Sequence, residues 1–214
     1  MFATPLYSVK IGRLTDMDFL DDVQTLGDVL KTKRSVLHGQ FNLASGGTTD
    51  VYVDSKLTTC AVETWPLIGR VFLGKIAQQG WSPEAVGGLT FGADPIAFAI
   101  ALESCRRGVP MQSFTARKEQ KKHGTKKFIE GIETPRGLNV VIIDDVCTKG
   151  DSTGLAIDHA QDAGMNVLGA VCLVDREAGA RELLARKYGL RLESIFTLSQ
   201  LRTMGNRHSL AVAG

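Results

Sequence analysis

Two adjacent acids, Asp144 and Asp145, end the apolar run of VVIIDDVCTKGDST, Val140 to Thr153. A turn follows that contains Thr148, Lys149, Gly150, Asp151 and Ser152. These residue types in this order suit a sugar phosphate. Successive backbone N–H groups where a turn enters a helix, with the hydroxyls of Thr148, Ser152 and Thr153 beside them, make a cradle for a phosphate dianion. Gly150 lets the main chain come close to it. Paired carboxylates at a strand end accept hydrogen bonds from vicinal hydroxyls, as on a ribose, and help hold a divalent cation through its waters. D-D or T-x-G alone would be an ordinary strand-loop-helix corner with acids as caps; the whole string is more specific.

A second concentration of chemistry lies in TARKEQKKHGTKKFIEG. From Arg117 to Lys127 there are six Lys or Arg against one Glu, more positive charge than the net +2 of the entire chain, so the remainder is net acidic. The segment is polar and has no hydrophobic period. Taken alone it reads as a solvated charge run. Charge focused this tightly suits a small polyanion better than a long nucleic acid, which asks for a broader basic face.

The elements that must position these residues alternate in type. Met17, Phe19, Leu20, Val23, Leu26 and Leu30 recur at helical spacing between Thr15 and about Lys33, with Thr15 or Asp16 as the cap. FNLASGGTTDVYVDSKL reads as short strands joined by a Gly-rich turn. Helices are then expected at 62–78, 94–107, 152–163 and 178–188. Strands are expected at 85–89, 111–115, 138–143, 167–174 and 194–197. Such alternation implies an α/β fold with a central, mostly parallel sheet flanked by helices and a small N-terminal cap. A single domain of 214 residues is expected, with the cap at about 14–60, the core at about 61–198 and a loose tail at 199–214. The stretch from Lys118 to about Gly137 exceeds ordinary loop length and reads as a functional lid.

Composition narrows the classes further. With 43% hydrophobic and 22% charged residues the chain can bury a sizeable core, but it has no room for a fused (β/α)₈ barrel. No apolar run is long enough to span a membrane, and the N-terminal stretch carries acids where a signal peptide would be apolar, so a cytosolic protein is expected. Cys60, Cys105, Cys147 and Cys172 form no C-x-x-C pair and read as reduced, partly buried thiols, Cys147 being packing. His38, His159 and His208 have no partner at metal spacing and read as solvent-facing or helix-surface residues.

Val140 to Thr153 resembles the phosphoribosyl pyrophosphate signature of the type I phosphoribosyltransferases: hydrophobic residues, two acids, then T-x-G-x-[ST]. That resemblance implies that Thr148, Lys149, Gly150, Asp151 and Ser152 bind the 5′-phosphate, while Asp144 and Asp145 hold the ribose hydroxyls and Mg²⁺ through water or substrate. The R-K-x-x-K-x-H-G pattern is similar to the mobile loop of the orotate phosphoribosyltransferases in particular. Family behaviour then implies a homodimer in which Lys121, Arg117 and His123 reach the pyrophosphate of the neighbouring subunit, Lys118 contributes within its own site, and Lys121 leads catalysis with Asp145. VDREAGA is similar to the family's D-R-x-x-G pattern, in which the arginine, here Arg176, contacts the orotate carboxylate. A guanidinium pairs bidentately with a planar carboxylate, a group uracil lacks.

FNLASGGTTDVYVD and GGLTFGADPIA resemble, more loosely, the family's cap segment and the helix start that follows its second strand-end loop. Tyr52 or Phe41 would then lie against the flat base. Some members of the family carry lysines where this chain has Ala44 and Gly92, and Lys56, Asp94 or the Gly92 backbone would fill the gap. The implied substrates are orotate and phosphoribosyl pyrophosphate, with no nucleic acid or membrane partner.

Overall fold

The computed structural model describes residues 16–42, 48–119 and 127–206. Helix α1, Asp16–Thr32, buries Phe19, Leu26 and Leu30, whereas Met17 and Leu20, counted in the same apolar pattern, stand in solvent. Strands β1, Val36–Asn42, and β2, Thr48–Val53, pair antiparallel, and this hairpin with α1 forms the cap. After the short helix α2, Lys56–Thr59, a 3-10 turn at Val62–Thr64 precedes α3, Trp65–Gln78. One helix was expected from 62. Pro66 in the first turn sets the start at Trp65, because its missing N–H is harmless only there.

The core then alternates: β3 Ala85–Leu89, α4 Asp94–Arg106, β4 Gln112–Ala116, β5 Ile129–Glu130, β6 Asn139–Cys147, α5 Asp151–Asp162, β7 Asn166–Asp175, α6 Ala180–Tyr188, β8 Leu192–Thr197 and α7 Leu198–Asn206. The sheet order is β5-β4-β3-β6-β7-β8, parallel throughout except for the antiparallel β4–β5 pair. Alternate residues of β6 feed two cores. Val141 and Ile143 pack with residues of α1, α3, α4 and α7 on one face, and Val140 and Ile142 pack with α5 and α6 on the other. The α/β class with helices on both faces is the one expected.

Three expectations need correction. The 118–137 segment is not all loop: β5 returns along β4, and Ile129 and Ile132 are buried in the same core cluster as residues of α5, while residues 120–126 lie outside the description. The tail at 199–214 begins as helix, because Leu198 and Leu201, one turn apart, find core contacts; residues 207–214 lie outside the description. His159 is buried, its ring stacked on Phe128 at 3.9 Å between centroids, and so is neither solvent-facing nor on the helix surface. His38 is exposed as expected, and Cys147 and Cys172 are buried while Cys60 and Cys105 are exposed free thiols. Among the described residues no helix is long and apolar enough to cross a membrane.

Candidate active site

The chain adds β4 on one side of β3 and β6 on the other, so the crevice of this sheet opens at the carboxyl ends of β3 and β6. Strand β6 runs further than its apolar residues alone suggest. Pairing with β7 continues through Asp144 opposite Cys172 to Cys147 opposite Asp175, which holds both acids in extended backbone at the sheet edge.

The two carboxylates have different surroundings. Asp144 is buried, and its Oδ2 accepts hydrogen bonds from Thr153 Oγ1 at 2.6 Å and Ser152 Oγ at 3.1 Å. Burial lifts its pKa to about 6, since two hydroxyls offset only part of the lost hydration. Asp145 is also penalised by burial, but Ser55 Oγ donates to its Oδ2 at 2.6 Å and Lys56 Nζ lies 3.0 Å from the same oxygen. Together with the Val146 N–H these bring it below the ordinary aspartate value, so Asp145 is the first of the pair to ionise.

Beyond β6, Thr148 and Lys149 are exposed and Gly150 takes φ 88° at the N-cap of α5. Only glycine adopts that conformation at little cost, and a Cβ there would also crowd Leu183, Leu184 and Ala180 at 3.2 to 3.3 Å. No side chain caps this helix, so the first-turn N–H groups, which have no intrahelical acceptor, are available to an anion. The hydroxyl expected of Thr153 is not: it is buried and turned to Asp144, and Ser152 Oγ points to the same carboxylate. The cradle therefore relies on main-chain N–H groups and Thr148.

Other predicted residues reach the same edge. Arg176 follows β7, and its N–H donates to the Cys147 carbonyl at 2.8 Å, which places its backbone beside the signature turn. Arg117, at the end of β4, is half-buried with its Nε 3.0 Å from Glu130 Oε1, and Lys118 beside it is exposed. Lys121, His123 and Ala44 lie outside the described residues. Gly92, after β3, stands against Asp145: a Cβ at 92 would come 2.4 Å from Asp145 Oδ1. Of the residues expected to compensate there, Lys56 reaches Asp145, whereas Asp94 is buried and accepts from Thr90 Oγ1 and Thr115 Oγ1, each at 2.8 Å, so it ties β3 to β4. Tyr52 is 45% exposed, with its ring 5.5 Å from that of Phe41, and is not core.

Sequence reading missed Ser55, 90 residues before its partner Asp145, and also the pair formed by buried Asp175 and Arg181, 2.6 Å apart, behind Arg176. Ser55 has no signal of its own. Arg181 had one, being six residues after an acid at a strand end.

A phosphoribosyl transferase domain matches residues 62–199, which spans the strands and helices of the core and leaves out the segment that bears Ser55 and Lys56. The orotate phosphoribosyltransferase of Synechocystis sp. is 40% identical over 164 residues, covering 77% of this chain and 81% of that protein. This chain belongs to the orotate phosphoribosyltransferase family. Its fold agrees with solved members. The Mycobacterium tuberculosis orotate phosphoribosyltransferase in complex with Fe(III) dicitrate superposes with a TM-score of 0.72 at 38% identity, covering 84% of this chain and 98% of that one. The same orotate phosphoribosyltransferase in complex with 5-phospho-alpha-D-ribosyl 1-diphosphate gives 0.67 at 32% identity, covering 85% and 92%. Both the β6 strand end with its turn and the β7 strand end that bears Arg176 fall inside the region matched by the phosphoribosyl transferase domain.

Proposed function

We propose that the chain transfers the 5-phosphoribosyl group of phosphoribosyl pyrophosphate to orotate, releasing pyrophosphate and giving orotidine 5′-monophosphate, a step of pyrimidine nucleotide synthesis. The observation that carries it is the end of β6, where two acids of opposed pKa stand beside a left-handed glycine and the uncapped start of α5. Support comes also from the family's solved complex with phosphoribosyl pyrophosphate.

The main-chain N–H groups of the 148–152 turn, with Lys149 nearby, hold the 5′-phosphate. Asp144 and Asp145 accept hydrogen bonds from the ribose hydroxyls. No group of three or more potential protein ligands occurs among the described residues, and two adjacent carboxylates completed by water and phosphate oxygens are a donor set that fits Mg²⁺. When bound, Mg²⁺ offsets the charge that builds on departing pyrophosphate. Arg176 pairs with the orotate carboxylate and rejects bases without one.

Positive charge at the anomeric carbon and negative charge on pyrophosphate develop together in the transition state. Lys121, with Arg117, Lys118 and His123, meets the leaving group, and removal of one such preorganised contact raises the barrier by about 3 to 4 kcal/mol. The loop is shared across a homodimer in this proposal. Phe98 and Leu102, one turn apart on α4, with Phe91 before it, give exposed apolar surface of the kind a second copy covers. The proposal sets the reaction in the cytosol, and no helix among the described residues is long and apolar enough to cross a membrane.

The test follows orotate's ultraviolet absorbance on addition of phosphoribosyl pyrophosphate and Mg²⁺, with adenine, hypoxanthine and uracil as competitors. Consumption of orotate alone is expected; turnover of another base instead would overturn the proposal. Lys121→Ala should lose most turnover while keeping its fold, and near-normal rates would remove the loop from the mechanism.

A further inference from the structure

The turn that presents Arg176 is held from outside itself. Its main-chain anchor is the bond from the Arg176 N–H to Cys147, and the next residue, Glu177, has φ 56°. Arg34 is the only other non-glycine with positive φ among the described residues. Glycine would take that conformation freely, whereas a residue with a Cβ persists there only when its contacts enforce it.

Those contacts are specific. The Glu177 N–H donates to Asp175 Oδ1 at 2.8 Å, and the Glu177 carboxylate accepts from both the N–H and the hydroxyl of Ser199, at 2.8 and 2.6 Å. Ser199 lies in the first turn of α7, where N–H groups have no helical acceptor and negative charge is favoured. Helix α7 is itself anchored by buried Leu198 and Leu201, and further along Arg202 donates twice to Asp50 Oδ1 of β2, at 2.9 and 2.7 Å. Asp50 is two residues from Tyr52 on the cap hairpin. The base-side turn and the cap are thus joined through one short helix.

We propose that Glu177 is a positioning residue for the Arg176 guanidinium, and that α7 is the strap through which Glu177 ties the base-recognition turn to the N-terminal hairpin. The inference rests on the assignment of Arg176 to the orotate carboxylate. Reversal of the chain at Glu177 sets the direction in which Arg176 leaves the strand end, so loss of the Ser199 contacts should loosen the hold on orotate while the phosphate turn after β6 is untouched.

The experiment uses the full chain with Mg²⁺, orotate and phosphoribosyl pyrophosphate, and compares Glu177→Gly, Glu177→Gln and Arg176→Ala. Glu177→Gly keeps the left-handed turn free of strain and removes only the tether. It should raise the KM for orotate about five- to tenfold, with the KM for phosphoribosyl pyrophosphate and kcat changed less than about twofold, as expected for loss of one ground-state contact. Glu177→Gln, whose amide oxygen still accepts from Ser199, should recover most of that loss. An orotate KM in Glu177→Gly unchanged from the parent, while Arg176→Ala raises it at least about tenfold, would overturn the strap, as would equal rises in both KM values. An unchanged orotate KM in Arg176→Ala would instead bring down the base-site assignment, and the strap with it.

Discussion

The turns after β6 and β7 are built alike and behave differently. Each strand carries acid at or near its carboxyl end, each turn passes through a glycine in the left-handed region, φ 88° at Gly150 and φ 100° at Gly179, and each enters a helix with no side-chain cap. After β7 the acid is neutralised by the protein itself. Arg181, the second residue of α6, binds Asp175 at 2.6 Å and reaches the Leu192 carbonyl and Ser194 of β8 with its other nitrogens. After β6, Asp144 receives only hydroxyls from its helix, and Asp145 has a half-exposed lysine from a distant segment. One corner is closed on itself and the other is unfinished without a ligand. The lesson is that a strand-end acid stays available to a ligand when its own helix withholds a cation.

The sharpest break between the corners is in activity. Asp145→Asn should lower kcat/KM by about 100- to 1,000-fold, the loss of one preorganised charged contact, with only a small fall in the urea midpoint from the lost Lys56 pair. An equal loss from a variant at Asp175 that keeps its fold would erase the contrast. Next is stability at the closed corner: Arg181→Ala strands a fully buried carboxylate and should cost about 3 kcal/mol in urea unfolding, at the low end for a broken buried pair because Arg181 itself is partly exposed. A cost near zero would mean that Asp175 is not held by charge.

The open corner should respond in the opposite direction. The folded-state pKa of Asp144 is raised from 3.8 to about 6, so the native state binds the extra proton and stability falls as pH rises through that window. In metal-free buffer Asp144→Asn should therefore match the parent near pH 3 and gain on the order of 2 kcal/mol at pH 7.5, while losing activity. An equal effect at both pH values would show that the buried charge is not the cause. The smallest difference separates the glycines. Replacing either by alanine costs about 1 to 2 kcal/mol through its positive φ. Only Gly150→Ala should also weaken binding of phosphoribosyl pyrophosphate by calorimetry, since nothing lies within 4 Å of a Cβ at Gly179.

Much of this was legible in the residues. The apolar run of β6, its acids and the T-K-G-D-S-T turn announce strand, carboxylates and helix start within fourteen positions, and short-range sterics suffice for that. The extent of β6 was not legible, because Asp144 to Cys147 extend only through their pairing with β7. The β5 return, the burial of His159 under Phe128 and the docking of α7 were missed for the same reason: each depends on a surface supplied by another part of the chain.

Local order along the chain determined the α/β class, the signature turn and the glycine at its bend, since backbone sterics and the side-chain period act over a few residues. Tertiary structure alone decided which acid ionises more readily. Ser55 and Lys56 meet Asp145 only because the segment after the hairpin passes the end of β6, and Arg181 meets Asp175 only because α6 packs back on its own strand. Electrostatic energy depends on distance and burial in space, and neither is written in the spacing of residues along the chain.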